Sequence, residues 1–217
     1  MTLGDEQIER YSRQIIVPRI GGRAQERLLA SRLVLAGTLE AVNTPLAYLV
    51  GAGVGTIHLA VTGDHADLAA LIASMRGLNS DVAVIPALPG DRDKNDLLFA
   101  IVSAEPVIDA ILALPAGVLS GPSVTVRLDG PARIAVLPSS PPCLRCAADE
   151  MLGPMRARGE NPEFPAMAAC VEALKLLAGY EPATPASIIE FDGYASASRP
   201  AALAAPGPRC AFCGGAK

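Results

Sequence analysis

The sequence predicts an α/β fold: a mostly parallel sheet with helices on both faces, closed by an antiparallel C-terminal hairpin. Three observations lead there. Short continuous apolar runs, beginning with Arg32-Leu-Val-Leu-Ala36, suit strands buried on both faces. These runs alternate with segments of helical spacing up to Ser103, the signature of parallel strands joined by right-handed crossovers. From Val118 the rhythm changes to strand, Asp129-Gly130 turn, strand.

Taken in order, Asp5 to Val17 carries Ile8, Tyr11, Ile15 and Ile16 at helical spacing, and Gly22 to Ser31 reads as a second amphipathic helix. The first strand, residues 32 to 36, is closed by Gly37. A helix around Thr44 to Ala52, a strand at 56 to 61, a helix from about Ala66 to Leu78 and strands at 81 to 85 and 97 to 103 follow. The hairpin strands are 124 to 128 and 132 to 137, then come a helix at about Pro165 to Ala178 and a last strand at 186 to 191. Residues 149 to 165 read as a loop and 196 to 209 as a Pro/Ala-rich connector.

With 217 residues and no strong break, one α/β domain over 1–217 is expected: N-terminal helices in 1–31, the parallel part in 32–117, and hairpin, cysteine pairs and last helix in 118–217. Hydrophobic residues make up 51% and charged ones 18%, with 4% aromatic and no Trp, so the core is built from Ala, Val, Leu and Ile and disorder is excluded for most of the chain. A net charge of −4 without a basic run excludes nucleic acid as a partner. Residues 41 to 63 lack Asp, Glu, Lys and Arg, yet Pro45, Gly51, Gly53, Gly55 and His58 interrupt them, so no membrane span is expected. The acidic N-terminus lacks an apolar signal region, and a cytoplasmic location follows.

Four of five cysteines form two C-x-x-C pairs, Cys143/Cys146 and Cys210/Cys213, separated by 63 residues. Four thiolates satisfy one tetrahedral zinc and leave no open position for chemistry, so the expected metal is structural. A redox dithiol and metal-free packing are the alternatives. Cys170 lies in an apolar helical stripe and reads as core, with nucleophile as the minority reading.

Several segments in sequence order carry a resemblance: Arg10-Tyr-Ser-Arg-Gln-Ile15, Ser31-Arg-Leu-Val-Leu-Ala-Gly37, residues 47 to 57, Ser120-Gly121, Pro142-Cys-Leu-Arg-Cys146, residues 172 to 180 and Cys210-Ala-Phe-Cys-Gly214. Together they resemble the ThiF/MoeB/HesA family, bacterial relatives of ubiquitin-activating enzymes. The resemblance implies a Rossmann-like fold, a structural zinc and a homodimer. It also implies ATP-dependent adenylation of the C-terminal Gly-Gly of a ubiquitin-like sulfur carrier, with Arg13 reaching into the partner subunit's nucleotide site.

Against that pattern the chain departs at four places. The family's G-x-G-G-x-G phosphate loop is here Gly37-Thr-Leu-Glu-Ala-Val42, retaining only Gly37. Its Asn-, Arg- and Lys-bearing crossover is missing: Val61-Thr-Gly-Asp-His-Ala-Asp67 runs straight into a helix, and the only lysines are Lys94, Lys175 and Lys217. Asp64 or Asp67 is a remnant of the acidic site or, as the preferred reading, part of a solvated turn. At the magnesium aspartate the chain offers Glu105 at best, which also reads as a helix N-terminal charge. The loop from 149 to 169 has no nucleophilic cysteine.

Positioning and electrostatic stabilisation supply nearly all of nucleotidyl-transfer catalysis, and these departures remove both. The expected protein is a catalytically degenerate ThiF/MoeB-like pseudoenzyme, leaning against enzymatic activity and without catalytic residues. It would act as a zinc-stabilised dimeric scaffold or binding partner in a ubiquitin-like or sulfur-carrier system. Its cofactor would be zinc and not ATP, with Arg13 and Gly37 as what remains of a nucleotide site. Its partners would be a second copy or an active paralogue, and a ubiquitin-like carrier. The alternatives are an active adenylyltransferase or sulfur-transfer enzyme using Arg13, Glu105 and Lys94, and a Rossmann-like protein for another nucleotide or small molecule.

Overall fold

The computed structural model describes residues 3–18, 20–89, 95–128, 132–138, 143–144, 151, 163–180, 186–191 and 201–202. The chain opens with helices α1 (Asp5–Arg10), α2 (Ser12–Ile15) and α3 (Gly21–Ala30). The parallel part follows as β1 (Arg32–Thr38), α4 (Leu39–Ala52), β2 (Thr56–Thr62), α5 (His65–Leu78), β3 (Ala83–Ile85), β4 (Leu97–Val102), α6 (Glu105–Leu112) and α7 (Ala116–Leu119). The remaining elements are β5 (Ser123–Arg127), β6 (Ala132–Leu137), α8 (Glu163–Leu177), β7 (Ser187–Phe191) and β8 (Ala201–Ala202).

Among the described residues one sheet of eight strands runs in the order β3-β2-β1-β4-β5-β6-β7-β8. The pairs from β3 to β5 are parallel and those from β5 to β8 antiparallel, as the two rhythms of the sequence predict. Every residue of β4 is buried. Its side chains alternate between two cores: Leu97, Phe99 and Ile101 join Leu46 and Leu49 of α4 and Ala169 and Ala173 of α8, whereas Leu98, Ala100 and Val102 join Val107 and Ile111 of α6. Continuous apolar runs are thus the consequence of helices on both faces.

Four features differ from the sequence reading. The expected N-terminal helix is broken at Tyr11 (φ −98°, ψ 11°), because its ring turns inward and is only 1% exposed. The helix expected at Thr44 begins at Leu39, where Thr38 caps it, and it carries Pro45 inside it. Helices α6 and α7 occupy a stretch to which the sequence reading gives no element. Ala201–Ala202 pairs with β7 inside what reads as a connector. No helix among the described residues is long and apolar enough to cross a membrane.

Candidate functional site

Ligands in open parallel sheets bind beyond the strand C-termini, where strand order reverses. Here that point lies between β1 and β4. The last residue of β1 is Thr38 and the first of α4 is Leu39, so strand passes into helix with no intervening loop. Thr38 Oγ1 accepts the Ala41 amide at 3.3 Å and shares a 3.0 Å hydrogen bond with Ser103 Oγ, just past β4. One hydroxyl therefore caps the helix and ties the two strand ends together.

Gly37 serves packing at this point. A Cβ there would lie 2.9 Å from Val42 Cγ1 and 3.1 Å from the Ile101 carbonyl oxygen. Leu39 leans over Gly63, close enough that a Cβ on Gly63 would sit 2.8 Å from its own Cβ.

Beside this closed junction, between the starts of α4 and α5, lies a cleft of about 490 Å³. Among the described residues its polar lining is Thr38, Glu40, Asn43, Thr62, Asp64 and Asp67, with three carboxylates and no lysine or arginine. Asp64 is committed to structure, its Oδ1 accepting the Ala66 amide at 2.7 Å as the N-cap of α5. Glu105 opens α6, followed by Pro106 in the first turn. Lys175 lies 2.8 Å from both Glu172 carboxylate oxygens and 5.9 Å from the centre of the Tyr180 ring. Lys94 and Lys217 lie outside the described residues.

Arg13 is exposed on α2, whose neighbour Gln14 donates to the Gly51 carbonyl at 3.4 Å. That contact is at the N-terminal edge of the parallel strands, opposite the cleft, so Arg13 and Gly37 are not brought together within one chain. Of the expected metal ligands, Cys143 is buried, and Cys146, Cys210 and Cys213 lie outside the described residues. Among the described residues no three His, Cys, Asp or Glu side chains converge on a possible metal position. Cys170 sits in the core as expected, its thiol 3.8 Å from the Pro45 carbonyl, and burial pushes its pKa up to about 12.

A polar cluster at Tyr11 escapes sequence reasoning. The Tyr11 hydroxyl donates to Asp81 Oδ2 at 3.1 Å and accepts from Asn79 Nδ2 at 2.9 Å. Burial is the main cause raising its pKa. The partners lie 68 and 70 residues away in sequence, and only the Asn and Asp after a helix hint at them.

Comparison with known proteins places the chain. The Escherichia coli sulfur carrier protein ThiS adenylyltransferase is 30% identical to it over 98% of this chain and 98% of the relative. The chain belongs to the ThiF/MoeB E1-like family. The pig adenylyltransferase and sulfurtransferase MOCS3 is 28% identical over 98% of the chain, which spans only 54% of that longer relative. Among solved structures, E. coli MccB with ATP superposes with a TM-score of 0.68 at 17% identity, over 94% of this chain and 73% of that one, a likeness of fold. No protein-family model matches the chain.

Proposed function

We propose that this family member is catalytically degenerate, a scaffold or binding partner in a ubiquitin-like or sulfur-carrier system that does not use ATP. The observation that carries the reading is the direct passage of β1 into α4. Phosphate sites at helix N-termini need free backbone amides and close approach. Here the Ala41 amide is taken by Thr38, the Gly37 position faces Val42 and Ile101, and Leu39 leans over Gly63. The adjoining cleft presents Glu40, Asp64 and Asp67, which would repel a triphosphate. The residues present do not fit a nucleotide's phosphates.

The partner class rests on the relative whose name describes adenylation of the sulfur carrier ThiS. Exposed Tyr48 on α4 and Val171 on α8, two adjacent helices on one face of the sheet, support an assembly with a second copy or an active paralogue. Arg13, on the edge opposite its own cleft, also suits a role across an interface. The paired cysteines, with Cys143 already buried, support a structural zinc.

Mg-ATP at millimolar concentration should give no thermal shift and no pyrophosphate exchange with a Gly-Gly carrier. A ligand at 100 times its Kd stabilises by about 2.7 kcal/mol, which a melting curve detects. A shift abolished by Arg13→Ala would favour the second reading, an active adenylyltransferase or sulfur-transfer enzyme with a rebuilt site. The names of the relatives speak for that reading.

A further inference from the structure

The first two helices meet the body of the molecule through one buried side chain. Neither α1 nor α2 buries a residue of its own, and Ile8, Ile16 and Val17 are 48%, 77% and 42% exposed. Tyr11, in the joint between the helices, goes inward instead. Its ring lies over Gly53, which has φ +85° and no side chain; a Cβ there would be 2.8 Å from both the ring Cζ and the hydroxyl oxygen. Among the described residues the other ties are at least partly exposed: Arg10 Nε to Asp81 Oδ2 at 3.2 Å, Arg10 Nη2 to Ser80 Oγ at 3.5 Å, Gln14 to Gly51, and the half-buried Leu3 side chain beside Gly22 of α3.

We propose that residues 3–18 form a detachable arm latched by the Tyr11 hydroxyl, so that α1 and α2 leave and rejoin the body as one unit while the sheet stays folded. Two arguments carry this. Segments with little buried apolar surface open at low free energy, whereas a sheet buried on both faces opens only with the whole molecule. The polar groups at the contact are also arranged so that departure leaves none of them stranded. Asn79 Nδ2 donates to the Val50 carbonyl at 2.7 Å as well as to Tyr11, and Asn79 Oδ1 accepts the Asp81 amide at 3.1 Å. With the arm gone, Asn79 keeps both partners, while the Tyr11 hydroxyl and the Asp81 carboxylate go to water. A buried donor or acceptor left unpaired would make opening costly; none is left. The arm carries Arg13, so latching decides whether that guanidinium is presented at a fixed place or on a free tether. The inference concerns contacts within one chain and stands whether or not the cleft binds ATP.

Hydrogen exchange on the full chain tests it. Tyr11→Phe keeps the ring over Gly53 and removes the hydroxyl. The helical amides of Ile8, Tyr11 and Ile15, bonded to Gly4, Gln7 and Tyr11 carbonyls, should exchange about tenfold faster, with β1 and β4 amides unchanged. Tyr11→Ala should bring the arm to the rate of unstructured peptide while β4 keeps its protection. Unaltered arm exchange in Tyr11→Phe would overturn the proposal. So would a loss of protection in β1 and β4 together with the arm in either variant, since Tyr11 would then belong to the cooperative core.

Discussion

At Gly37 a single hydrogen in place of a side chain lets β1, β4 and the first turn of α4 meet. The nearest obstacles to a methyl group are Val42 Cγ1 at 2.9 Å, on a fully buried β-branched side chain, and the Ile101 carbonyl oxygen at 3.1 Å, which is strand backbone and cannot shift freely. Gly37→Ala should therefore destabilise by about 1–3 kcal/mol, the range for overpacking a core. A lower urea midpoint at unchanged m-value would show this. Cys170 makes a second residue-level case. Burial disfavours the thiolate and pushes its folded pKa from the ordinary thiol value of 9.0 up to about 12. A group raised in the folded state stabilises fully below its unfolded pKa and loses that contribution as pH rises towards the folded one. Stability should thus fall between about pH 9 and 12, and Cys170→Ala should flatten that slope in denaturant titrations at each pH.

The elements that the sequence displays well are those whose partners do not matter. Leu97 to Val102 reads as a buried strand whichever neighbours it has, because all six residues are apolar and all six are buried. The start of α4 is hidden for the opposite reason. Proline favours the first turn of a helix, whereas Pro45 lies inside α4, and the true start depends on Thr38 finding both Ala41 and Ser103. The break at Tyr11 depends on Asn79 and Asp81, which no local spacing announces. In the candidate site, the missing glycines are legible in the sequence, but the hydroxyl bridge that replaces them is not. Thr38→Val keeps the shape and removes the cap and the bridge together, with an expected loss of about 1–2 kcal/mol. Ser103→Ala should lose less, since it leaves the cap, and a double-mutant cycle by chemical denaturation would isolate the bridge.

At the scale of the whole molecule, the sheet joins a parallel half bearing the cleft to an antiparallel half, β5 to β8. If Cys143, Cys146, Cys210 and Cys213 hold one zinc, the metal links the segment after β6 to the C-terminal residues. Structural zinc contributes on the order of 10 kcal/mol in small domains, so its removal should loosen that half more than the buried strands of the other. The five thiols then fall into two classes with different protection. Four would be held by the metal, and Cys170 is held in the core beside the Pro45 carbonyl. Titration of purified, reduced protein with a thiol reagent should proceed in two steps: four thiols react when a chelator is added, and the fifth only on unfolding. Zinc measured by elemental analysis should stand at one per chain and leave with the first step. Thiols of the two pairs reactive from the outset, in protein without bound metal, would remove the zinc. Four that react only after a reductant is supplied to protein purified without one would mean disulfides, and the dithiol reading would take the zinc's place.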